Sequence, residues 1–180
     1  MFSLKKVCSA LVLLGTMAST SVFAAVGVVK TAEGGVLFIK RANGTTSAAA
    51  KGASLEPGDV ITTGGRVEAS LEMIDGQTVL LKPGSVFRID DYKFDKNAPA
   101  EGVSMTSLLK GGLPIVSGSI GKARPENYRL ATPTAVIGIR GTDYSAVWCN
   151  QDCPGQADGM HIFVYHGAIA VSNDASSVEL

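Results

Sequence analysis

Turn-forming pairs punctuate this chain at short intervals, and the runs between them are too short for a substantial helix. Asn43-Gly44 lies between Val36–Ile39 and a patch of small residues, and Asp75-Gly76 lies between Ala69–Ile74 and Val79–Leu81. Both pairs suit a type I′ hairpin turn, whose two central residues need positive φ. Pro57-Gly58 and Pro83-Gly84 suit type II turns, in which proline presets one angle and glycine supplies the other. His166-Gly167 can close a further turn between Ile162–Tyr165 and Ala168–Val171. The intervening segments alternate: Val67, Ala69, Leu71 and Met73 fall on one face, Glu68, Ser70 and Glu72 on the other. Phe87 and Ile89 share a face in the same way. Only Ser104 to Lys110 is compatible with a turn of helix. The expectation is an all-β domain of short antiparallel strands and hairpins, either stacked and solenoid-like or a sandwich. The near-regular turn spacing from Pro57 to Pro83 leans toward stacking, although no strict repeat is present.

The first residues read as an export signal, with Lys5 and Lys6 before the apolar run Val7 to Met17. Val22-Phe23-Ala24 places small residues three and one before a cut, so cleavage is expected after Ala24. No cysteine follows the cut, which argues against a lipid anchor, and Cys8 leaves with the signal. The remainder, residues 25–180, is 156 residues long and suits one domain. Loss of Lys5 and Lys6 leaves 14 basic against 16 acidic residues, a net charge of −2. That balance disfavours nucleic acid or an anionic membrane as partner. No later apolar run is long enough to cross a bilayer as a helix, so no stable membrane insertion is expected once the signal is removed. Cys149 and Cys153 remain, and in an oxidising compartment an even pair reads as a disulfide.

The stretch Thr132 to Trp148, TPTAVIGIRGTDYSAVW, is read as a strand interrupted once. Pro133 disfavours helix at Thr132, and Val136, Ile137 and Ile139 favour a strand. A straight strand would put Ile137 and Ile139 on the face of Asp143 and turn Tyr144 and Trp148 away. One bulge near Gly141 repairs the pattern, since an extra residue flips the register. Ile137, Ile139, Thr142, Tyr144, Ala146 and Trp148 then face the core, and Arg140, Asp143 and Ser145 face outward.

This stretch resembles the signature of the FecR domain: Thr132-Pro133, a small apolar run, then Arg140-Gly141-Thr142-Asp143-Tyr144. Leu55 to Gly64 is similar to the family's Gly-Asp-x-Ile-x-Thr opening. Asp75-Gly76 with Val79 and Leu81, then Pro83 to Ser85 and Phe87, is similar to its Asp-Gly and Pro-x-Ser strands. Gly118 to Lys122 and His166 to Val171 resemble the segments before and after the signature. The resemblance covers about Val26 to Asn173 and implies a FecR-like β domain over residues 25–180 with its core at about 55–173. It also implies an exported β-rich sensor or regulator, periplasmic or secreted, in a bacterium. FecR-type regulators of iron uptake carry a helical anti-sigma segment, a membrane helix and a further C-terminal domain. This chain shows no counterpart, so the resemblance is to the isolated exported form and the sigma-factor role is not carried over. No clear final strand precedes Leu180, so the domain could continue in another context.

Other motifs have plainer readings. Asn43-Gly44-Thr45 matches a glycosylation sequon but is explained as a hairpin turn. Gly118 to Lys122 fails as a phosphate loop because Ala123 replaces the Ser or Thr. Gly138-x-x-Gly141 is too short for a dinucleotide fingerprint. His161 and His166 are five apart and point to opposite faces of a regular strand, so no metal site is expected. Asp90, Asp91 and Asp95 with Lys93 and Lys96 read as a solvated, charge-balanced loop. Arg140 and Asp143 read as a structural pair around the bulge. No catalytic constellation and no cofactor motif is visible. The expected function is a non-enzymatic binding or signalling module that contacts an envelope protein. The alternative is an envelope structural or carbohydrate-binding module. Contact is expected at the polar connection Tyr92 to Gly102 or at the loop Cys149 to Asp158.

Overall fold

A computed structural model describes residues 24–173 and 175–180. The export signal and Cys8 lie outside the described residues. The strands are β1 (Gly27–Glu33), β2 (Leu37–Lys40), β3 (Thr46–Ala49), β4 (Ser54–Leu55), β5 (Val60–Thr62) and β6 (Glu68–Met73). Next come β7 (Thr78–Leu81), β8 (Val86–Lys93), β9 (Val103–Val116), β10 (Tyr128–Ala131), β11 (Val136–Cys149), β12 (Gly159–Ser172) and β13 (Ser177–Glu179). A five-residue helix, α1 (Ser119–Ala123), follows β9. All the strands join one sheet, antiparallel except where β10 runs parallel to β9.

Pro57-Gly58 and Pro83-Gly84 form the expected turns, whereas Asn43-Gly44 and Asp75-Gly76 are turns but not type I′, because only the glycine of each pair has positive φ and its N–H bonds the carbonyl three residues back, Arg41 or Met73. Gly44, Gly58, Gly76 and Gly84 all have positive φ, between 73° and 87°. Asn43-Gly44 closes the β2–β3 hairpin and Asp75-Gly76 closes β6–β7. Val67, Ala69, Leu71 and Met73 are buried on one face, as are Phe87 and Ile89.

The stacked and sandwich alternatives resolve toward a sandwich. One layer runs β4–β1–β6–β7 and then the second halves of β9 and β11 with the first half of β12. The other runs β3–β2–β5–β8, the first half of β9, β10, the first half of β11, the second half of β12 and β13. Inward side chains of both layers, such as Leu71, Val79 and Ile115 against Ile39, Phe87 and Ile137, belong to one buried cluster. Each such side chain contributes about 1.5–3 kcal/mol by leaving water.

Three strands of 14 residues each, β9, β11 and β12, belong to both layers. Each contains a glycine of positive φ where its neighbours change: Gly111 (78°), Gly141 (63°) and Gly167 (81°). At Gly111 the strand leaves β8 and takes up β11. The Ser85 hydroxyl receives the Gly112 N–H (3.0 Å) and donates to the Gly112 carbonyl (2.9 Å), replacing the lost ladder bonds.

Several expectations need correction. Ser104 to Lys110 lies within β9, because pairing with β8 and β10 overrides its weak helical preference. His166-Gly167 is no turn but an irregularity inside the continuous β12. A final strand does exist, β13, paired with Ala170–Ser172. Tyr92 is the buried end of β8, so the polar connection begins after Lys93. Asp90 and Asp91 also lie in the strand β8 rather than in a loop; Asp90 stays exposed there and accepts bonds from the Arg88 guanidinium and the Ser107 hydroxyl.

Candidate functional site

The signature strand β11 contains the expected bulge. Its pairing with β12 slips between Arg140 and Asp143, where Gly141 and Thr142 oppose Gly167, and a compensating slip opposite Asp143/Tyr144 leaves Tyr165 extra in β12. A Cβ on Gly167 would lie 2.8–2.9 Å from the Gly141 and Arg140 carbonyl oxygens and the Thr142 hydroxyl. The Thr142 hydroxyl itself donates to the Ala168 carbonyl and accepts from the Arg140 N–H. Thr132 closes the turn before the strand by bonding Ala135 in both directions, and Pro133 sits exposed in that turn.

Ile137, Ile139, Thr142, Tyr144 and Ala146 are buried, as expected. Two residues depart from the reading. Trp148 is only half-buried, because its cross-strand neighbours are Gly111 and Met160 at the end of the layer. Ser145 is buried although it faces outward, since β12 lays Tyr165 beside it, hydroxyl to hydroxyl at 3.2 Å. The Arg140–Asp143 pair does not form. Arg140 lies 3.5 Å from Glu179 and Asp143 lies 3.6 Å from His166, because the bulge separates the two and turns Asp143 toward β12 and Arg140 past β12 toward β13.

Beneath the signature, Tyr128 and Tyr144 share a hydroxyl–hydroxyl bond of 2.8 Å. Burial pushes both phenols up, so they stay neutral donors and acceptors. Tyr92 donates to Asp75 (2.6 Å), and burial followed by the Asp75 charge pushes its phenol up as well. Asp75 also accepts the N–H groups of Gln77 (2.9 Å) and Ile120 (3.2 Å). A Cβ on Gly118 would collide with this carboxylate, so glycine lets α1 approach it. These groups are structural, each satisfied within the protein.

The accessible chemistry lies at the far end of the β11–β12 hairpin. Cys149 and Cys153 are bonded there, with Cα atoms 5.4 Å apart. Asp152 accepts the Asn150 N–H (2.9 Å), and that bond holds its carboxyl below the usual range. Asp158 accepts the Gln151 N–H (2.6 Å), and Gln151 is held at φ 60°. The loop faces the Pro83-Gly84 turn across a cleft of about 340 Å³. Trp148 and Val147 form its apolar side, and Lys82, Lys110 and Asp152 supply charge. Lys110 lies 3.5 Å from Asp152, and Lys82 bonds Glu68 at 2.7 Å. A half-buried tryptophan at the end of β11, among charges and beside a pinned loop, can anchor a protein chain. A second cleft, about 670 Å³, lies beside the start of the other expected contact, between Ile74, Tyr92, Phe94 and residues 24–26. Sequence reasoning found the pinned loop but missed the cleft. Its Lys110 and Pro83-Gly84 are distant in sequence, and only Trp148 beside Cys149 signalled it.

Among the described residues, no three His, Cys, Asp or Glu side chains are grouped as metal ligands. No described helix is long and apolar enough to cross a membrane.

A family model described as FecR protein matches residues 59–170. Two crystal structures of a candidate anti-sigma factor from Parabacteroides distasonis are similar to this chain at 18% identity, with TM-scores of 0.50 and 0.49. Each match covers 67% of this chain and 50% of that protein, so this chain spans about half of its length. The first likeness is one of fold. No curated protein matches the sequence.

Proposed function

This chain belongs to the FecR family, and from that premise we propose that it is a regulatory module of the bacterial cell envelope. It is exported by its first 24 residues, and it acts by holding a protein partner rather than by catalysis. The observation that carries this reading is the cleft at the hairpin end, where Trp148 lies between Lys82, Lys110 and the disulfide-pinned loop. The bond between Cys149 and Cys153 suits an oxidising compartment and limits the ordering cost of contact. The signature residues Thr132, Pro133, Arg140, Gly141, Thr142, Asp143 and Tyr144 then have a supporting role. They set the bulge and the buried tyrosine pair that hold the hairpin in place.

The test keeps both cysteines and replaces Asn150–Asp152 and Pro154–Ala157 with Gly and Ser, alongside Lys110→Glu. Each variant is first checked by thermal melt. Pull-downs from envelope extract should then lose the partner recovered by the parent. Unchanged recovery by both folded variants would reject the cleft.

A further inference from the structure

β12 has two different edges. From Ile169 to Ser172 its outer side is closed: Ile169 and Leu180 exchange two backbone bonds of 2.9 Å, and Ala170–Ser172 pair with β13. From Gly159 to His166 it pairs with β11 alone among the described residues. A strand paired on one side only presents every second N–H and C=O to the open side. Residues 159–165 read Gly-Met-His-Ile-Phe-Val-Tyr, with no Lys, Arg, Asp, Glu or Pro. Phe163 and Tyr165 are 51% and 60% exposed. Neither an inward charge nor a proline guards this segment, and the bulge at Tyr165 lies only at its end. The other open edges differ, since β3 is four small residues, Thr-Ser-Ala-Ala, and β1 carries Lys30.

We propose that this edge pairs antiparallel with the same edge of a second copy of the chain, about a two-fold axis at Ile162. The choice of a second copy rests on self-complementarity. With the axis at Ile162, Met160 faces the partner's Val164, extending the row of side chains that already packs on the core. His161 faces the partner's Phe163, and Gly159 faces the partner's Tyr165, whose ring covers the bare backbone. At the ends, Asp158 faces the partner's His166, opposite charges when the imidazole is protonated. An axis at Phe163 loses this match, setting Met160 against the partner's His166 and Asp158 against the partner's Ala168. The contact is isologous, so one pairing closes both exposed edges and leaves no apolar edge to recruit a third chain. None of its facing residues lines the Trp148 cleft.

Sedimentation equilibrium of the purified chain, as its host processes it, should give a dimer mass. Phe163→Lys, which adds the missing edge charge at an exposed position, should give a folded monomer at the same concentration. Mild oxidation should link Ile162→Cys chains to each other. Met160→Cys alone should stay unlinked, because its counterpart is Val164, and the pair His161→Cys/Phe163→Cys should link and serve if Ile162→Cys folds poorly. A parent chain that is monomeric throughout, or that forms a ladder of growing masses, overturns the proposal. So does a dimer in which Met160→Cys links as readily as Ile162→Cys.

Discussion

The hairpins β6–β7 and β11–β12 solve one problem in opposite ways. The first is closed by Asp75-Gly76, and its turn is tied inward by three bonds to the Asp75 carboxylate, from Gln77, Tyr92 and Ile120. The second is closed by the loop after Cys149 and reaches outward, pinned at its tip by its own disulfide. The inward turn draws its order from the rest of the molecule, whereas the outward loop supplies its own. A turn anchored through a buried carboxylate is therefore costly to alter at that residue. An exposed, self-ordered loop tolerates change and can meet a partner.

The largest break in this contrast is Asp75→Ala. It leaves the Tyr92 hydroxyl and the Gln77 and Ile120 N–H groups buried without their acceptor, and should cost about 3–5 kcal/mol in urea unfolding. A loss below 1 kcal/mol would mean the turn is as independent as the loop. Gly167→Ala comes next, at about 3 kcal/mol, since it combines positive φ with a Cβ pressed on three polar atoms. Gly141→Val should cost less, because only its φ of 63° is strained and nothing lies within 4 Å of the added Cβ. Equal melts for these two variants would misplace the strain. Removing the disulfide with Cys149→Ser/Cys153→Ser should cost about 2 kcal/mol on the loop-entropy argument. The loss should be confined to the tip in hydrogen exchange. Loss of protection at Tyr92 or Ile120 would join the two hairpins into one unit.

The smallest effect sharpens the comparison through another acidic turn residue. Asp59 bonds Arg41 (2.6 Å) and the Glu56 N–H (2.8 Å), yet its Oδ1 has no partner among the described residues. Burial outweighs these bonds and raises its carboxyl above 3.8. The folded state therefore holds this proton to higher pH than the unfolded chain. Asp59's contribution to stability falls as pH rises from about 3.8 through the raised value. Against Asp59→Asn, the parent should lose relative stability across that interval in urea melts. A relative gain would reverse the sign.

The sequence is legible where structure is local. Asn43-Gly44, Pro57-Gly58, Asp75-Gly76 and Pro83-Gly84 form turns because each carries its own backbone preference. The bulge in β11 was readable because the faces of Ile139 and Tyr144 conflict without it. Legibility fails where partners are distant. Asp75 looks like an ordinary turn residue until Tyr92 and Ile120, 17 and 45 positions away, meet it. His166-Gly167 misleads because a bulge glycine and a turn glycine need the same positive φ. Arg140 and Asp143 look paired by proximity, yet each finds its partner on another strand. At the site, the cysteines and loop were readable and the Trp148 cleft was not, because β9 and the Pro83-Gly84 turn complete it.

The glycine line through β9, β11 and β12 also bears on how the protein comes apart. Each of those strands lends half its length to either layer, so neither layer has a complete set of its own strands. No cut in the chain separates two foldable pieces. Melting one layer strips the other of three strands at once, so heat and denaturant should find a single cooperative transition.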